Sequence, residues 1–202
     1  MPEGLAAIIT AFMNAHSRAA SLAVAMQPVF GGVRSVLDVG GGSGIFAIEM
    51  ARAHPKLTAT VLEIDTICAE AWRYIDAAGV SARVKTHPLN MFTQPWPGGY
   101  DAHFFSNIFH DWSDQTCRML AKKSFDALPP GGRILLHEIL MDDDGCGPLP
   151  AAAFSLLMLI GTKGRQYSLP ELREFLESAG FVDIEAARTG GGYYSMVSAR
   201  RP

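Results

Sequence analysis

The stretch that most constrains this chain is Asp38-Val-Gly-Gly-Gly-Ser-Gly44. It joins a short apolar run, Arg34-Ser-Val-Leu-Asp-Val39, to a segment with helical spacing, Ile45 to His54, that stops at Pro55. A glycine-rich strand-to-helix joint makes a tight turn, lets a ligand approach the backbone, and presents unpaired helix N–H groups to an anionic group. The alternation then repeats. Leu57–Glu63 reads as a second strand, residues 66–78 as a helix ended by Gly79, and Val84–Thr86 as a third strand. A loop rich in Pro and Gly (Pro95, Pro97, Gly98, Gly99) leads to a fourth strand, Asp101–Ser106, and Arg133–Leu140 reads as a fifth. Strands alternating with helices in this way build a parallel sheet covered on both faces, an α/β architecture.

The helix between the fourth and fifth strands is well marked. Ser113 is placed to cap it and Asp114 suits the positive end of its dipole. Cys117, Leu120, Ala121, Ser124, Phe125 and Leu128 then fall on one face before Pro129-Pro-Gly-Gly132. A polar loop, Asp142 to Gly145, precedes an apolar helix around 150–161. Ser168-Leu-Pro-Glu171 reads as a capping box opening a last helix that ends at Gly180. Residues 182–188 and 193–200, joined through Gly190-Gly-Gly192 with no helix between them, read as an antiparallel hairpin at one edge of the sheet. Ahead of all this, residues 5–30 read as one helix ending at Pro28 and Gly31-Gly32. Residues 1–32 are thus expected to be a helical connecting segment and 33–202 the ligand-binding domain. Ligands of such doubly wound sheets lie beyond the carboxyl ends of the strands, near the point where the strand order reverses.

Composition excludes several classes of function. At roughly 150 residues per domain, 202 residues make one domain. Seventeen Lys and Arg against twenty Asp and Glu leave a net charge of −3, the wrong sign for a nucleic-acid or anionic-membrane surface. A hydrophobic share of 49% excludes disorder, and a charged share of 18%, below the usual ~25%, points to apolar surface that meets another chain, as in a homodimer. Cys68, Cys117 and Cys146 have neither CxxC spacing nor a His cluster, which fits a reducing compartment and no cysteine-based zinc site. No signal-peptide pattern or membrane-length apolar run is present, so the expected location is the cytoplasm.

The joint around Gly40 suits a nucleoside. Glu63 closes the second strand 23 residues beyond Gly40, where a carboxylate accepts from both hydroxyls of a ribose. A dinucleotide fingerprint would need a third glycine where Ile45 stands, and no Gly-Lys-Ser/Thr follows to make a P-loop. Asp38, immediately upstream, suits a ligand with an ammonium group. S-adenosylmethionine has that ammonium and a ribose but no phosphate.

From about residue 10 onward the chain resembles the catalytic domain of the small-molecule O-methyltransferases of the caffeate, acetylserotonin and bacterial polyketide type. The segments that carry the likeness are Leu37–Gly44, Val61-Leu-Glu63, Asn90-Met-Phe92, Ser106-Asn-Ile-Phe-His-Asp-Trp-Ser-Asp114, Leu128-Pro-Pro-Gly-Gly-Arg-Ile134 and Glu138. The resemblance implies a Rossmann-like methyltransferase fold, with a doubly wound, mostly parallel seven-stranded sheet and an antiparallel C-terminal hairpin. It also implies S-adenosyl-L-methionine as cofactor and a small-molecule acceptor. Gly40 and Gly42 then line the methionine part and Glu63 holds the ribose. Asn90 stands where the family has Asp; its side-chain carbonyl is expected to accept from the adenine amino group, with Met91 packed on the ring. Ser106 stands where plant members carry Lys and looks like the bacterial branch.

Methylating a hydroxyl requires removal of a proton, and a phenol titrates near 10, so a neutral imidazole is the natural base. The resemblance gives that role to His110, with Glu138 as the carboxylate that orients it. It places Gln166 where the family has a second acid. Asp111 reads as a structural hydrogen-bonding residue and Trp112 as packing under its loop. His137 faces away from Glu138, as a packed or solvated side chain, and Asp142–Asp144 read as a solvated loop rather than a metal site. Phe12, Met13 and His16 read as core or interface packing, with a wall of the acceptor pocket as the alternative.

Three other functions fit parts of the pattern. One is metal-assisted C-methylation of an α-keto acid with His110 and Asp111 as ligands. Another is an NAD(P)-dependent oxidoreductase, against which the missing third glycine speaks. The last is a cofactor-binding or dimerisation module with little activity, lacking the N-terminal helical domain that the family usually carries.

Overall fold

The computed structural model describes residues 2–190 and 192–202. Seven strands form one sheet: β1 (Ser35–Val39), β2 (Thr58–Glu63), β3 (Val84–Pro88), β4 (Ala102–Ser106), β5 (Arg133–Ile139), β6 (Val182–Arg188) and β7 (Tyr194–Arg200). Their order across the sheet is β3-β2-β1-β4-β5-β7-β6. β1 to β5 are parallel, whereas β7 pairs antiparallel with both β5 and β6. The hairpin expected at the edge is therefore present, with its second strand inserted next to β5. Its turn includes Gly191, which lies outside the described residues, as does Met1.

Helices α2 (Ile45–Ala53), α3 (Asp65–Ala77), α4 (Asp114–Ala127), α5 (Leu149–Gly161) and α6 (Leu169–Ala179) follow their strands, and α1 (Glu3–Ala25) precedes them all. Strand alternation divides the core into two layers. Val36, Val61, Phe104 and Leu135 face the side of α2 and α3, where Phe46, Met50 and Ile75 complete one cluster. Leu37, Leu62, Phe105 and Leu136 face the other side, against Leu120 of α4 and Leu172, Phe175 and Leu176 of α6. The segment before residue 33 shares the first layer, since Val24 and Phe30 are buried in the same cluster as Phe46.

Two local expectations are corrected. The first helix ends at Ala25 rather than near 30, and Pro28–Phe30 form a separate 3-10 turn. Proline has no N–H to continue the ladder. Gln27 instead donates its side-chain amide to the carbonyls of Ala23 (3.0 Å) and Thr189 (3.1 Å). Ser113 precedes α4 in extended conformation, but its hydroxyl pairs with that of Thr116 at 3.2 Å and caps no backbone N–H. The capping box of Ser168 and Glu171 on α6 forms as expected.

The chain runs from β1 outward to β2 and β3, then returns to β4 on the other side of β1. That reversal opens a crevice at the carboxyl ends of β1 and β4. Asp38 sits at its floor, in register with Val61 on one side and Phe104 on the other.

Candidate active site

A cavity of about 800 Å³ fills this crevice, within the ~300–1,000 Å³ range of small-molecule sites. Its floor is the glycine joint with Glu63, its flank is Asn90–Phe92, and its far end is Ser106–Ile108 with His110–Trp112. Side chains from α1 and α5 close the mouth, among them Phe12, Met13, His16, Phe154 and Met158. Every site residue expected from the sequence lines this cavity except Glu138, which lies behind His110.

The glycine joint is held to β2 by the Gly40 N–H, which donates to the Leu62 carbonyl at 2.9 Å. Gly40 has φ +69°, a conformation that favours glycine, and a side chain there would press on the end of Ile108. Glu63 accepts from the Gly42 N–H (3.3 Å) and the Ile64 N–H (2.9 Å). Burial lifts its carboxyl above the usual range, an effect those two donors only partly offset.

Asp38 is wholly buried, and neither of its oxygens has a hydrogen-bond partner of good geometry. Burial first, then the charge of Glu63, push it up to about 7, with the Ala47 N–H offsetting part of the rise. A buried carboxyl without partners is expensive. An ammonium group at this floor would remove that penalty. Above Gly42, at φ +56°, no other atom comes within 4 Å of where a side chain would begin. Open backbone over a partnerless carboxyl fits the amino-acid end of S-adenosylmethionine, and Glu63 fits its ribose.

One expected contact is corrected at the atomic level. The Asn90 side-chain carbonyl is already used, accepting from the N–H groups of Phe92 (3.0 Å) and Thr93 (3.3 Å) in a local turn. Its amide NH₂ is the group left for a ligand. Met91 lines the cavity as expected, its carbonyl fixed by the indole N–H of Trp96 at 2.9 Å. Trp112 packs edge-on against Phe92, with ring centroids 4.6 Å apart, and also lines the cavity.

Ser106 Oγ lies 2.9 Å from His137 Nδ1. His137 faces away from Glu138 as expected and is fully buried, stacked on Tyr194 at 4.5 Å; burial pushes it down to about 3, so it stays neutral. The sequence reading missed Asn107. It adopts φ +56°, a conformation most side chains avoid, at the tip of β4 in the cavity wall, and its side-chain oxygen is buried without a partner. Asparagine's tolerance of that conformation was the only sequence signal.

His110 is 5% exposed. Its Nδ1 lies 2.8 Å from Glu138 Oε2, while Glu138 Oε1 accepts from the N–H groups of Ile108 (3.1 Å) and Phe109 (2.9 Å). Backbone donors therefore fix the carboxylate, and its Oε2, which has no hydrogen-bond partner of good geometry, stands in ion-pair contact with the ring. His110 Nε2 lies 3.6 Å from Asp111 Oδ1, beyond hydrogen-bond length. Burial alone would lower the His110 pKa, but the opposing charge and hydrogen bond of Glu138, with Asp111, hold it above the usual value. Gly164 allows the loop after α5 to pass against this turn, since a side chain there would run into the His110 carbonyl. Phe12, Met13 and His16 are exposed residues on the cavity mouth rather than core. Among the described residues no group of three or more His, Cys, Asp or Glu could hold a metal ion.

The O-methyltransferase domain family matches residues 3–182, and the chain belongs to that family. It is 43% identical over 157 residues to the 3-hydroxy-5-methyl-1-naphthoate 3-O-methyltransferase of Streptomyces sahachiroi, covering 78% of this chain and 46% of the relative. It is 34% identical over 152 residues to the L-tyrosine C(3)-methyltransferase of Streptomyces lavendulae, covering 74% of this chain and 42% of that one. The structure superposes on human N-acetylserotonin methyltransferase in complex with SAM with a TM-score of 0.89 at 27% identity, over 99% of this chain and 56% of that one. The chain spans about half the length of the curated relatives it matches.

Proposed function

We propose that this chain binds S-adenosylmethionine and moves its methyl group to a hydroxyl of a small aromatic acceptor, with His110 as general base oriented by Glu138. The observation that carries this reading is one cavity holding both halves of the chemistry. A partnerless Asp38 and Glu63 stand at one end, and an imidazole whose Nδ1 is tied to a carboxylate at 2.8 Å stands at the other.

When bound, the cofactor supplies a methyl group on a positively charged sulfur that leaves as a neutral thioether. Asp38 would pair with the ammonium group and Glu63 with the ribose hydroxyls. The Asn90 amide and Met91 face the base, while Phe12, Phe154 and Met158 exclude water from the acceptor. With its Nδ1 proton held by Glu138, His110 has only Nε2 free to accept the acceptor's hydroxyl proton. Glu138 would stabilise the imidazolium that results while the deprotonated oxygen takes up the methyl group. Removing a proton from a phenol also makes the ring carbon beside it nucleophilic. That, with the tyrosine C(3)-methyltransferase among the relatives, keeps carbon methylation as the second reading.

A labelled-methyl screen over phenolic and keto-acid acceptors, with product fragmentation, tests both readings. An oxygen-methylated phenol is expected, and a product formed only from keto acids would refute the reading. His110→Ala is expected to abolish transfer while S-adenosylhomocysteine still binds within a few-fold, and unchanged turnover would remove His110 from its role. The chain as a homodimer is also proposed, since Leu156, Leu157, Leu159 and Ile160 of α5 are all more than half exposed. Cys68, Cys117 and Cys146 are free thiols, which supports a reducing, cytoplasmic location. No helix of the described residues is long and apolar enough to cross a membrane.

A further inference from the structure

Gln166 is 1% exposed, in the loop between α5 and α6, and its backbone N–H donates to Ser155 Oγ of α5 at 3.2 Å. Its side-chain Nε2 lies 3.2 Å from His110 Nδ1, and its Oε1 is buried with no partner. Those two facts conflict with the rest of the site if both are taken as they stand. Glu138 Oε2, itself without a hydrogen-bond partner of good geometry, stands 2.8 Å from Nδ1; a carboxylate there favours a proton on Nδ1, which then cannot accept from an amide NH₂. Turning the amide over lets Oε1 accept from Nδ1–H and leaves the NH₂ group, in place of the oxygen, as the buried end of the amide.

We propose that Gln166 is a positioning residue for His110: its amide oxygen shares the Nδ1 proton with Glu138, clamps the ring from a second side, and adds no charge. The inference rests on the reading of His110 as base, which it deepens. Glu138 of β5 and Asp111 of the ring's own turn are the charged groups facing the imidazole, with the Tyr194 hydroxyl of β7 behind Glu138. Helix α5 contributes only Phe154, with ring centroids 6.2 Å apart, and His16 of α1 lies beyond it, 6.4 Å from Phe154. Among the described residues, Gln166 is thus the neutral polar contact at Nδ1. A carboxylate in its place would put a second negative charge beside the ring and favour the doubly protonated imidazolium, which cannot act as a base. An amide oxygen gives the same clamp and leaves the ring able to lose its Nε2 proton nearer neutral pH.

The test is a titration of the His110 ring by nitrogen-15 NMR in the full chain, without cofactor or acceptor. Gln166→Glu is expected to raise the ring's pKa by about 1 or more, as a second nearby carboxylate does. It should move the acid limb of the kcat/KM profile up by the same amount, with activity regained at higher pH. Gln166→Met, of similar volume, is expected to lower kcat about tenfold without changing the acceptor KM or S-adenosylhomocysteine affinity, because the tautomer and ring angle lose one of their two restraints. An unmoved ring pKa in Gln166→Glu, or a wild-type kcat and pH profile in Gln166→Met, would overturn the proposal. The NMR arm needs no turnover. A shifted pKa in a chain that methylates nothing would uphold the clamp and refute the proposed function.

Discussion

Replacing Glu138 by Gln changes one atom and should disable the base at every pH. Glu138 Oε1 accepts two backbone N–H groups, from Ile108 and Phe109. In a glutamine only the amide oxygen can meet those donors, so its NH₂ group takes the place of Oε2 and faces His110 Nδ1. Nδ1 must then accept, and the ring proton moves to Nε2, the nitrogen left to take the acceptor's proton. General-base catalysis contributes typically ~10²–10⁴-fold, so kcat for Glu138→Gln should fall by about that factor, some 3–5 kcal/mol of barrier. Single-turnover methyl transfer measured from acid to alkaline pH is the assay, with S-adenosylhomocysteine affinity measured alongside. Affinity should stay within a few-fold, since Glu138 does not line the cavity. A loss below tenfold, or activity that recovers fully at high pH, would show that Glu138 only tunes a charge and does not set the tautomer.

Further expectations follow from the other groups. Asp38, raised to about 7, binds a proton in the folded chain that the unfolded chain releases near 4. Cofactor-free stability should therefore fall as pH rises between those values, by up to about 1.4 kcal/mol per pH unit, and Asp38→Asn should flatten the dependence while weakening S-adenosylhomocysteine binding. A melting curve of Asp38→Asn with the wild-type slope would refute this. The raised His110 pKa works over a higher range. The stability it brings is full below its unfolded pKa near 6.5 and is lost as pH rises through the folded value, so the melting temperature of His110→Ala should lack that decline. Gly164→Ala would push a methyl group into the His110 carbonyl and should cost about 1–3 kcal/mol with a drop in kcat, and wild-type melting would contradict the close approach. Leu156→Glu with Ile160→Glu should halve the mass seen by light scattering, and an unchanged mass would reject α5 as the dimer face.

What could be read from the sequence was what local chemistry decides. The glycine joint, Glu63 closing β2 and the helix-free final turn follow from backbone rules, and each stands where those rules put it. So does the sidedness of His137 and Glu138, which strand alternation alone requires. Side chains with a choice of partner were not legible. Asn90 spends its carbonyl on its own turn, Ser113 prefers a neighbouring hydroxyl to the helix backbone, and Gln166 meets His110 only because the α5–α6 loop folds back to bond Met141 beyond β5 and Asp111 of the His110 turn. The mouth of the cavity was hidden for the same reason. Phe154 and His16 lie 138 residues apart in the chain, and only the tertiary fold brings α1 over α5.

A crystal structure of the chain with S-adenosylhomocysteine would test the central claim most directly. The amino-acid end should lie over Gly42 with its ammonium on Asp38, the ribose on Glu63, and the sulfur turned toward the open Nε2 of His110. A nucleoside seated elsewhere, or a sulfur facing away from that nitrogen, would contradict the account.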